Sequence, residues 1–388
     1  MLSLDTLRIL NDTPQLLDAL AARDLSEQYT LALLSELRAK WPPEIAAAAL
    51  QTARLRQQAI IKFDRAGEMF FTPDGLQQAT APAVRTYHAE QLAHTQRVVD
   101  IGCGIGADSL ALGQSASVIG FDIDPVRVHI ARHNARVYRA RADFLVADAR
   151  QPWPLRVKGG AFFFDPARRA NQRRLFSVKD YIPPLATLHG WPLKTGLVKL
   201  SPGVDTNELA PYEGGLTFVS EQGNLKEALL GLGDFAFAGR RAVLLPQHIM
   251  LQTRGLPAPP VRSAPLRYML EPDPAIIRAG CFGELAAHLT QPLFRLDEQI
   301  AYLTSDAPID SPWCRQWHVI DWMPFNLKRL RASLRQQGIG RVTVKKRGSP
   351  LTPEALQARL ALKHGDREAV IFLTQIMGKH SAVICDTP

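Results

Sequence analysis

The chain has 388 residues, enough for two or three domains of ordinary size. Hydrophobic residues make up 46% and charged residues 21%, a balance that excludes extensive disorder, a collagen-like chain and a long coiled coil. The net charge is +9, and residues 313–388 alone hold 13 lysines and arginines against 5 aspartates and glutamates. This asymmetry indicates a polyanionic partner, nucleic acid before an anionic membrane surface, or else a solvated basic face.

The cysteines are too scattered for a disulfide framework or a zinc ribbon, because no two are spaced as CxxC. Cys314 and His318 are spaced like half of a metal site, but no second half follows, so no metal site is predicted. The N-terminal segment lacks the basic region and long apolar core of a signal peptide. No run of about 18 apolar residues occurs that could span a membrane. We therefore expect a protein of the reducing cytoplasm with no membrane partner.

Residues 1–94 are predicted to form a helical N-terminal region. Leucines recur at helical spacing between residues 16 and 37, and residues 44–61 are rich in Ala and Arg without Gly or Pro. The sequence from Thr72 to Gly75 is interpreted as a turn, followed by a further helix over about 83–93.

Residues 95–255 alternate short apolar runs with helical stretches, which predicts an α/β domain with a parallel sheet covered on both faces. The predicted parallel strands are Arg97–Ile101, Val118–Asp122, Phe144–Ala147, Ala161–Phe164 and Leu197–Leu200. Three further runs, separated by Gly-rich turns, predict an antiparallel ending of the sheet: Leu216–Val219, Lys226–Leu232 and Arg241–Leu245.

A proline-rich segment, Leu256–Pro260, is a candidate linker. The sequence beyond it has an α+β pattern, which we divide into a segment at 261–320 and a basic domain at 321–388. Helices are predicted over 275–287, 325–336 and 353–361, and strands over 342–346 and 368–373.

A glycine-rich loop carries the first functional signal. Gly102, Gly104 and Gly106 follow an apolar strand and precede a helix, an arrangement in which the backbone can approach a ligand closely. A tight strand-to-helix turn with no ligand is the alternative. GxGxx(G/A), read at Gly102, Gly104 and Ala107, also fits a dinucleotide site. Asp100 argues against that reading, because a carboxylate directly before the loop suits a cationic amine better than a pyrophosphate.

Four successive predicted strands carry an aspartate at or just beyond their carboxyl ends: Asp100, Asp122, Asp148 and Asp165. Ligands of an open α/β sheet bind at that edge. One such aspartate could be a helix cap, but four in register predict a shared site.

The segments around these aspartates resemble class I S-adenosylmethionine-dependent methyltransferases. The resemblance rests on Asp-Ile-Gly-Cys-Gly-Ile-Gly from residue 100, Gly-Phe-Asp-Ile-Asp-Pro from 120, Ala-Asp-Ala-Arg from 147 and Asp-Pro-Ala-Arg from 165. It implies a Rossmann-like sheet with S-adenosyl-L-methionine as cofactor. It also implies that the glycine loop and Asp100 hold the methionine part, that Asp122 binds the ribose hydroxyls, that Ile123 flanks the adenine, and that Asp148 takes the adenine amino group.

A narrower resemblance covers most of the chain. Glu271–Gly280 and Val344–Gly348 are similar to the bacterial methyltransferases with a THUMP-like domain, which are related to trimethylguanosine synthase. Further matching segments are 71–72, 77–80, 199–205 and 226–228. This resemblance implies a ferredoxin-like segment at 261–320 and a THUMP-like domain at 321–388. It also implies RNA as the partner, because THUMP relatives bind RNA.

Asp165, Pro166 and Arg168 are the predicted catalytic residues. Methyltransferases that act on exocyclic base amines usually carry Asp/Asn-Pro-Pro-aromatic here, whereas this chain has Asp-Pro-Ala-Arg. Arg168 can stack on a base, clamp a phosphate or pair with a surface carboxylate. The departure leaves an amine, a ring nitrogen and a hydroxyl open as the methylated group.

Cationic side chains are the predicted substrate contacts. They are Arg169, Lys199, Lys345, Lys346 and Arg347. Lys199 either binds a substrate phosphate or pairs with a strand-end acid. Phe70 and Phe71 either stack on a base or pack among helices.

These observations predict an S-adenosylmethionine-dependent methyltransferase that acts on a base in tRNA or rRNA. Two alternatives remain: an RNA-binding protein that binds the cofactor without transferring a methyl group, and a small-molecule methyltransferase. The second alternative leaves the basic C-terminal domain without a purpose.

Overall fold

A computed structural model describes residues 2–387 except 155, 158, 168, 171, 172, 175, 176, 363 and 364, and for residues 169, 170, 173 and 174 it describes the backbone alone. The chain divides into two compact units. The first comprises Met1–Leu216 with Lys226–Ala238, and the second comprises Thr217–Leu225 with Gly239–Pro388.

The first unit begins with helices, as predicted. They are α1 (Leu4–Asp12), α2 (Pro14–Ala21), α3 (Thr30–Arg38), α4 (Pro43–Ala59), α5 (Pro73–Gln78) and α6 (Pro82–Gln91). The predicted turn at Thr72 is wrong, because α5 begins there. Thr72 Oγ1 accepts a hydrogen bond from the backbone N–H of Gly75 at 3.0 Å, and Pro73 occupies the first helical position. Both are helix-start features.

A mainly parallel sheet with its helices follows. Its elements are β1 (Arg97–Ile101), α7 (Ala107–Leu112), β2 (Ser117–Asp122), α8 (Pro125–Tyr138), β3 (Ala142–Val146), β4 (Ala161–Phe164), β7 (Gly196–Leu200) and β9 (Asn224–Leu232). The short β5 (Arg169–Ala170) and β6 (Arg173–Arg174) form a separate two-stranded sheet, and β8 (Gly214–Glu221) lies mostly in the second unit. The parallel strands lie in the order β7-β4-β1-β2-β3, and β9 pairs antiparallel with β7. Every residue of β4 and β7 is buried, as expected of a sheet covered on both faces. The predicted α/β class is confirmed.

Asn134 of α8 ties the helical region to the glycine loop. Its side chain accepts a hydrogen bond from the N–H of Phe70 at 3.0 Å and donates to the carbonyls of Phe70 and Ile105, each at 3.1 Å. Asn134 is fully buried, so these bonds are not shared with water. The segment before α5 is therefore fixed against the loop that follows β1.

The second unit is built from strands and helices, and seven of its strands form a separate sheet. Its elements are β10 (Arg240–Leu245), β11 (Ile249–Gln252), β12 (Tyr268–Pro272), α9 (Pro274–Ala279), α10 (Phe282–His288), β13 (Phe294–Arg295), β14 (Leu303–Ser305), β15 (Cys314–Pro324), α11 (Leu327–Gln336), β16 (Ile339–Lys346), α12 (Pro353–Leu360), β17 (Arg367–Ile376) and β18 (Lys379–Asp386). The sheet has the order β13-β14-β12-β15-β18-β17-β16. Leu330, Leu334, Leu356 and Leu360 of α11 and α12 are buried in one hydrophobic cluster with residues of β17 and β18.

Two features of this unit differ from the sequence pattern. The helix predicted over 275–287 is two helices, because Gly280 adopts a left-handed φ of 76° and ends α9. Strand β15 runs through the predicted domain boundary at residue 320 and pairs with both β12 and β18. The predicted strands over 342–346 and 368–373 are confirmed within the longer β16 and β17.

Candidate active site

A cavity of about 440 Å³ lies at the carboxyl ends of the parallel strands. All four strand-end aspartates line it, as the register of the sheet predicts: Asp100, Asp122, Asp148 and Asp165. Gly102, Gly104, Ile123 and Pro166 line it as well. Within the described residues, the first unit thus brings most of the predicted site residues into one cavity.

The glycine loop contributes to the cavity through Gly104 but not through Gly106. Gly104 has a φ of +55°, and an added Cβ would meet no atom within 4 Å, so the backbone faces open space there. Gly106 does not line the cavity. Its φ is +86°, and a Cβ would lie 3.2 Å from the Cβ of Ala131 in α8. The loop therefore needs glycine at Gly106 for its own conformation and for helix packing.

Asp100 is almost completely buried and accepts a hydrogen bond from Ser109 Oγ. Burial raises its pKa to about 8, and the neighbouring acids Asp108, Asp165 and Asp122 add to the rise, whereas the bond from Ser109 opposes it. At neutral pH the carboxyl group is therefore mostly protonated, and a cation placed beside it would favour its ionised form.

Asp122 is held against the glycine loop. Its Oδ2 accepts a hydrogen bond from the N–H of Gly104 at 3.1 Å, its Oδ1 accepts one from the N–H of Asp124 at 2.9 Å, and Arg127 lies 4.0 Å away. Each oxygen keeps a further acceptor position. The next residue, Ile123, is 61% exposed and places an apolar side chain at the cavity.

Asp148 is paired with Arg150. The guanidinium donates to both carboxylate oxygens, with Nε 2.9 Å from Oδ1 and Nη2 2.7 Å from Oδ2. These hydrogen bonds lower the pKa of Asp148, so it is a charged acceptor. Oδ1 also accepts the backbone N–H of Arg150 at 2.9 Å, so a ligand that binds Asp148 has to share it with Arg150.

Asp165 is paired with Lys199, one of the two alternatives for that lysine. Lys199 Nζ lies 2.7 Å from Asp165 Oδ2, and Lys199 is buried. It does not line the cavity, so the structure supports the ion pair over a phosphate contact. Arg168 lies outside the described residues, as does the side chain of Arg169.

A buried histidine, His88, lies between two acids of the first unit, and no local sequence pattern indicates it. His88 Nδ1 lies 2.7 Å from Asp108 Oδ1, and His88 Nε2 lies 2.5 Å from Glu227 Oε1. Burial by itself lowers the pKa of His88, but the charge of Glu227 and the bonds to both acids raise it to about 9. Burial likewise opposes ionisation of Asp108, yet its bond to His88 and the charge of His88 lower its pKa to about 2. His88 and Asp108 are therefore both charged near neutrality.

The three predicted basic contacts of β16 and its end have different surroundings. Lys345 Nζ lies 2.5 Å and Arg347 Nη2 lies 3.3 Å from the carboxylate of Glu271, and the cations also lie over the rings of Trp317 and Tyr302. Lys346 is exposed. Two of the three cations are thus engaged within the second unit.

Phe70 and Phe71 are packing residues. They are 2% and 0% exposed, and the ring of Phe70 meets His133 edge-on at 4.6 Å. The interpretation of these side chains as base-stacking residues is wrong, because neither reaches the cavity.

Among the described residues, no group of three or more His, Cys, Asp or Glu side chains is arranged to hold a metal ion. No described helix is long and apolar enough to cross a membrane.

Comparison with known proteins gives a consistent picture. Residues 98–162 match the family model of a methyltransferase domain, residues 314–387 match a THUMP-like domain, and residues 4–59 match a domain of unknown function. The chain is 34% identical over 340 residues to uncharacterized S-adenosylmethionine-dependent methyltransferases of two Mycobacterium tuberculosis strains, CDC 1551 / Oshkosh and ATCC 25618 / H37Rv. These alignments cover 84% of this chain and 92% of each relative.

One solved structure resembles nearly the whole chain. It is a protein of Porphyromonas gingivalis W83, described as a candidate methyltransferase, with a TM-score of 0.71 and 20% sequence identity. The match covers 93% of this chain and 99% of that chain. At this identity it shows a shared fold.

The protonation of Asp100 gives a pH test. Its folded pKa of about 8 lies above the ordinary 3.8, so the folded chain holds a proton between these values that the unfolded chain has lost. The free energy of unfolding therefore falls as the pH rises through this window. Asp100→Asn removes the titration and keeps an acceptor for Ser109. Between pH 5 and pH 8 the free energy of unfolding of the variant, measured by urea denaturation, should rise relative to that of the wild type by about 1–3 kcal/mol.

The contribution of His88 to the pH dependence is present in both proteins and cancels in this difference. A difference between Asp100→Asn and wild type that does not change with pH would show that Asp100 is already ionised at pH 5.

Proposed function

Because the chain belongs to the family of S-adenosylmethionine-dependent methyltransferases and ends in a THUMP-like domain, we propose that it methylates a base in RNA. S-adenosylmethionine is its cofactor. One observation supports RNA as the substrate. The THUMP-like match, 314–387, covers the segment that holds almost all of the net positive charge.

The residues around the cavity suit this cofactor. The volume of the cavity lies within the usual range for ligand sites, about 300–1,000 Å³. An added Cβ at Gly104 would enter open space. We assign the methionine part to Asp100, Gly102 and Gly104, with Asp100 facing the amine cation. Asp122 would accept the ribose hydroxyls, Ile123 would cover one adenine face, and Asp148 would accept from the adenine amino group. Gly106 acts indirectly, by shaping the loop.

When bound, S-adenosylmethionine supplies an electrophilic methyl group: the lone pair of the nucleophile forms the new bond, the electron pair of the breaking C–S bond stays on sulfur, and the nucleophile loses a proton to solvent. The chain has to align the nucleophile and exclude water. Asp165 and the Pro166 carbonyl are assigned to accept hydrogen bonds from the attacking group. Arg168 and Arg169 are assigned to the phosphate or base of the substrate.

The proposed RNA surface lies on α11 and on β16. Lys328, Arg329, Arg335 and Lys346 are exposed, and within the described residues none of their side chains has an ion pair or hydrogen bond. Lys345 and Arg347 already share Glu271, so we assign them to shaping this surface rather than to the main phosphate contacts.

The cofactor assignment is tested by Asp122→Ala. The variant loses a charged acceptor for two hydroxyls, so S-adenosylmethionine binding should weaken by about 1.5–3 kcal/mol, as measured by calorimetry. Asp143→Ala, an exposed aspartate of the neighbouring β3 that does not line the cavity, is the matched control. Tight binding of NAD together with no binding of S-adenosylmethionine would overturn the assignment.

The catalytic assignment is tested by Asp165→Asn, which keeps the shape of the side chain while removing its charge. Single-turnover transfer of labelled methyl groups to total bacterial RNA should slow by about 10²–10⁴-fold. Cofactor affinity should stay within a few-fold of wild type, since other residues hold the cofactor. Transfer at the wild-type rate would exclude Asp165 from catalysis. Cofactor binding by the wild type without transfer to any RNA would favour the non-catalytic RNA-binding protein.

The RNA surface is tested by the salt dependence of RNA binding. Neutralising Lys328, Arg329 and Arg335 together should reduce the slope of log K against log salt by about 2, because each phosphate contact contributes roughly 0.7–0.9. Cofactor affinity should not change. Neutralising Lys345 and Arg347 is the matched comparison and should change the slope less. An unaltered slope in the α11 variant would mean that this face is merely solvated.

A further inference from the structure

A run of hydrogen bonds leads from the interior of the first unit to the cavity wall. Its members come from β9, α6, α7, the segment between α5 and α6, β7 and the end of β4. In order they are Glu227, His88, Asp108, Thr80, Lys199 and Asp165. The first five expose 8% of their surface or less, whereas the side chain of Asp165 exposes 27%. Asp108 and Thr80 line the cavity as well, and Asp165 is the most exposed of the six.

The proton positions follow from which groups can donate and which can only accept. Thr80 Oγ1 lies 2.7 Å from Asp108 Oδ2 and 2.8 Å from Lys199 Nζ. An ammonium group can only donate and a carboxylate can only accept. The hydroxyl of Thr80 therefore accepts from Lys199 and gives its one hydrogen to Asp108.

His88 has a carboxylate on each ring nitrogen. A neutral imidazole would set a lone pair against one of these carboxylates, so both nitrogens donate and the ring is an imidazolium. The groups that face it are Asp108 from α7, Glu227 from β9 and the uncharged ring of Phe163 from β4, 4.8 Å away. The imidazolium thus offsets the charges of the two acids and leaves Asp108 able to hold the hydroxyl of Thr80.

This network restricts the position of Lys199. Its ammonium lies between the Thr80 hydroxyl and Asp165 Oδ2. Buried charges stay in place when they are paired and hydrogen-bonded. Loss of the Thr80 hydroxyl would remove a fixed acceptor from the ammonium and loosen its contact with Asp165.

We propose that Thr80 and His88 are positioning residues that act through Lys199 to hold Asp165 as a charged acceptor, with Oδ2 bound by Lys199 and Oδ1 directed to the substrate. The inference rests on the proposed function and deepens it. Within the described residues, no hydrogen bond occupies Oδ1.

The arrangement selects the class of nucleophile. A carboxylate whose one oxygen is bound by an ammonium can only accept at the other. The group that it orients must therefore donate a hydrogen bond, as an exocyclic base amine does. A ring nitrogen with only a lone pair would meet Asp165 acceptor to acceptor, which is unfavourable. Among the three groups that the sequence leaves open, the network thus favours the amine and the hydroxyl over the unprotonated ring nitrogen.

The test uses a matched pair of variants of the full chain. Thr80→Val keeps the shape and removes the hydroxyl, whereas Thr80→Ser keeps the hydroxyl. Single-turnover methyl transfer to total RNA from a strain that lacks the protein should slow by about 10–100-fold in Thr80→Val at saturating RNA. Thr80→Ser should restore the rate to within about threefold of wild type, and the affinity for S-adenosylmethionine should change by less than about twofold in both.

Thr52→Val is the control for removal of a buried threonine hydroxyl. Thr52 is 0% exposed and belongs to the same unit, and its Oγ1 has no hydrogen-bond partner among the described residues. Its variant should transfer methyl groups like wild type. A Thr80→Val variant with the wild-type rate, or a Thr80→Ser variant as slow as Thr80→Val, would overturn the proposal.

A second measurement does not depend on activity. In protein labelled with ¹³C-aspartate, the carboxyl signal that is lost in Asp165→Asn reports Asp165. At neutral pH this signal should be displaced in Thr80→Val and lie at the wild-type position in Thr80→Ser, because the first variant holds the neighbouring ammonium less firmly. A signal at the same position in all three proteins would overturn the positioning role even if no RNA is ever methylated. An inactive wild type together with the displaced signal would reject the proposed function and retain the network.

Discussion

The cavity depends on how four acids at one edge of a sheet are kept from repelling one another. Parallel strands bring their carboxyl ends together, so the acids at those ends must share a small volume. The repulsion is reduced differently at each acid. Lys199 pairs with Asp165, Arg150 pairs with Asp148, backbone N–H groups bind Asp122, and Asp100 keeps its proton. The result is a cavity in which three of the strand-end acids are bound by donors of the protein and the fourth keeps its proton.

The sequence predicted the acids well and their partners poorly. Short apolar runs that end in aspartate indicate strands, and parallel topology then places Asp122 and Asp165 together without further information. His88 belongs to no local pattern, and Glu227, 139 residues away, lies in the matching segment 226–228, which does not indicate its partner. Their contact depends on the packing of α6 against the sheet. Local conformation was misjudged where one atom decides it: Thr72 Oγ1 starts a helix where the sequence indicated a turn, and Gly280 divides the helix predicted over 275–287.

Charge composition indicated a polyanionic partner but not which cations are exposed to one. The C-terminal segment carries almost all of the excess charge, and the predicted membership of the methyltransferases with a THUMP-like domain is confirmed. The count could not show that Glu271 engages Lys345 and Arg347, because Glu271 lies on β12, 74 residues away from Lys345. The exposed cations of α11 are a better basis for the proposed RNA surface.

The central claim is that this methyltransferase modifies a base in RNA. The most direct measurement compares modified nucleosides in total RNA from a wild-type strain and a deletion strain by mass spectrometry, with complementation by the wild-type chain and by Asp165→Asn. The account predicts that one methylated nucleoside disappears on deletion, returns with the wild-type chain, does not return with Asp165→Asn, and carries its methyl group on an atom that can donate a hydrogen bond before it is methylated. Identical nucleoside profiles in the two strains would contradict it.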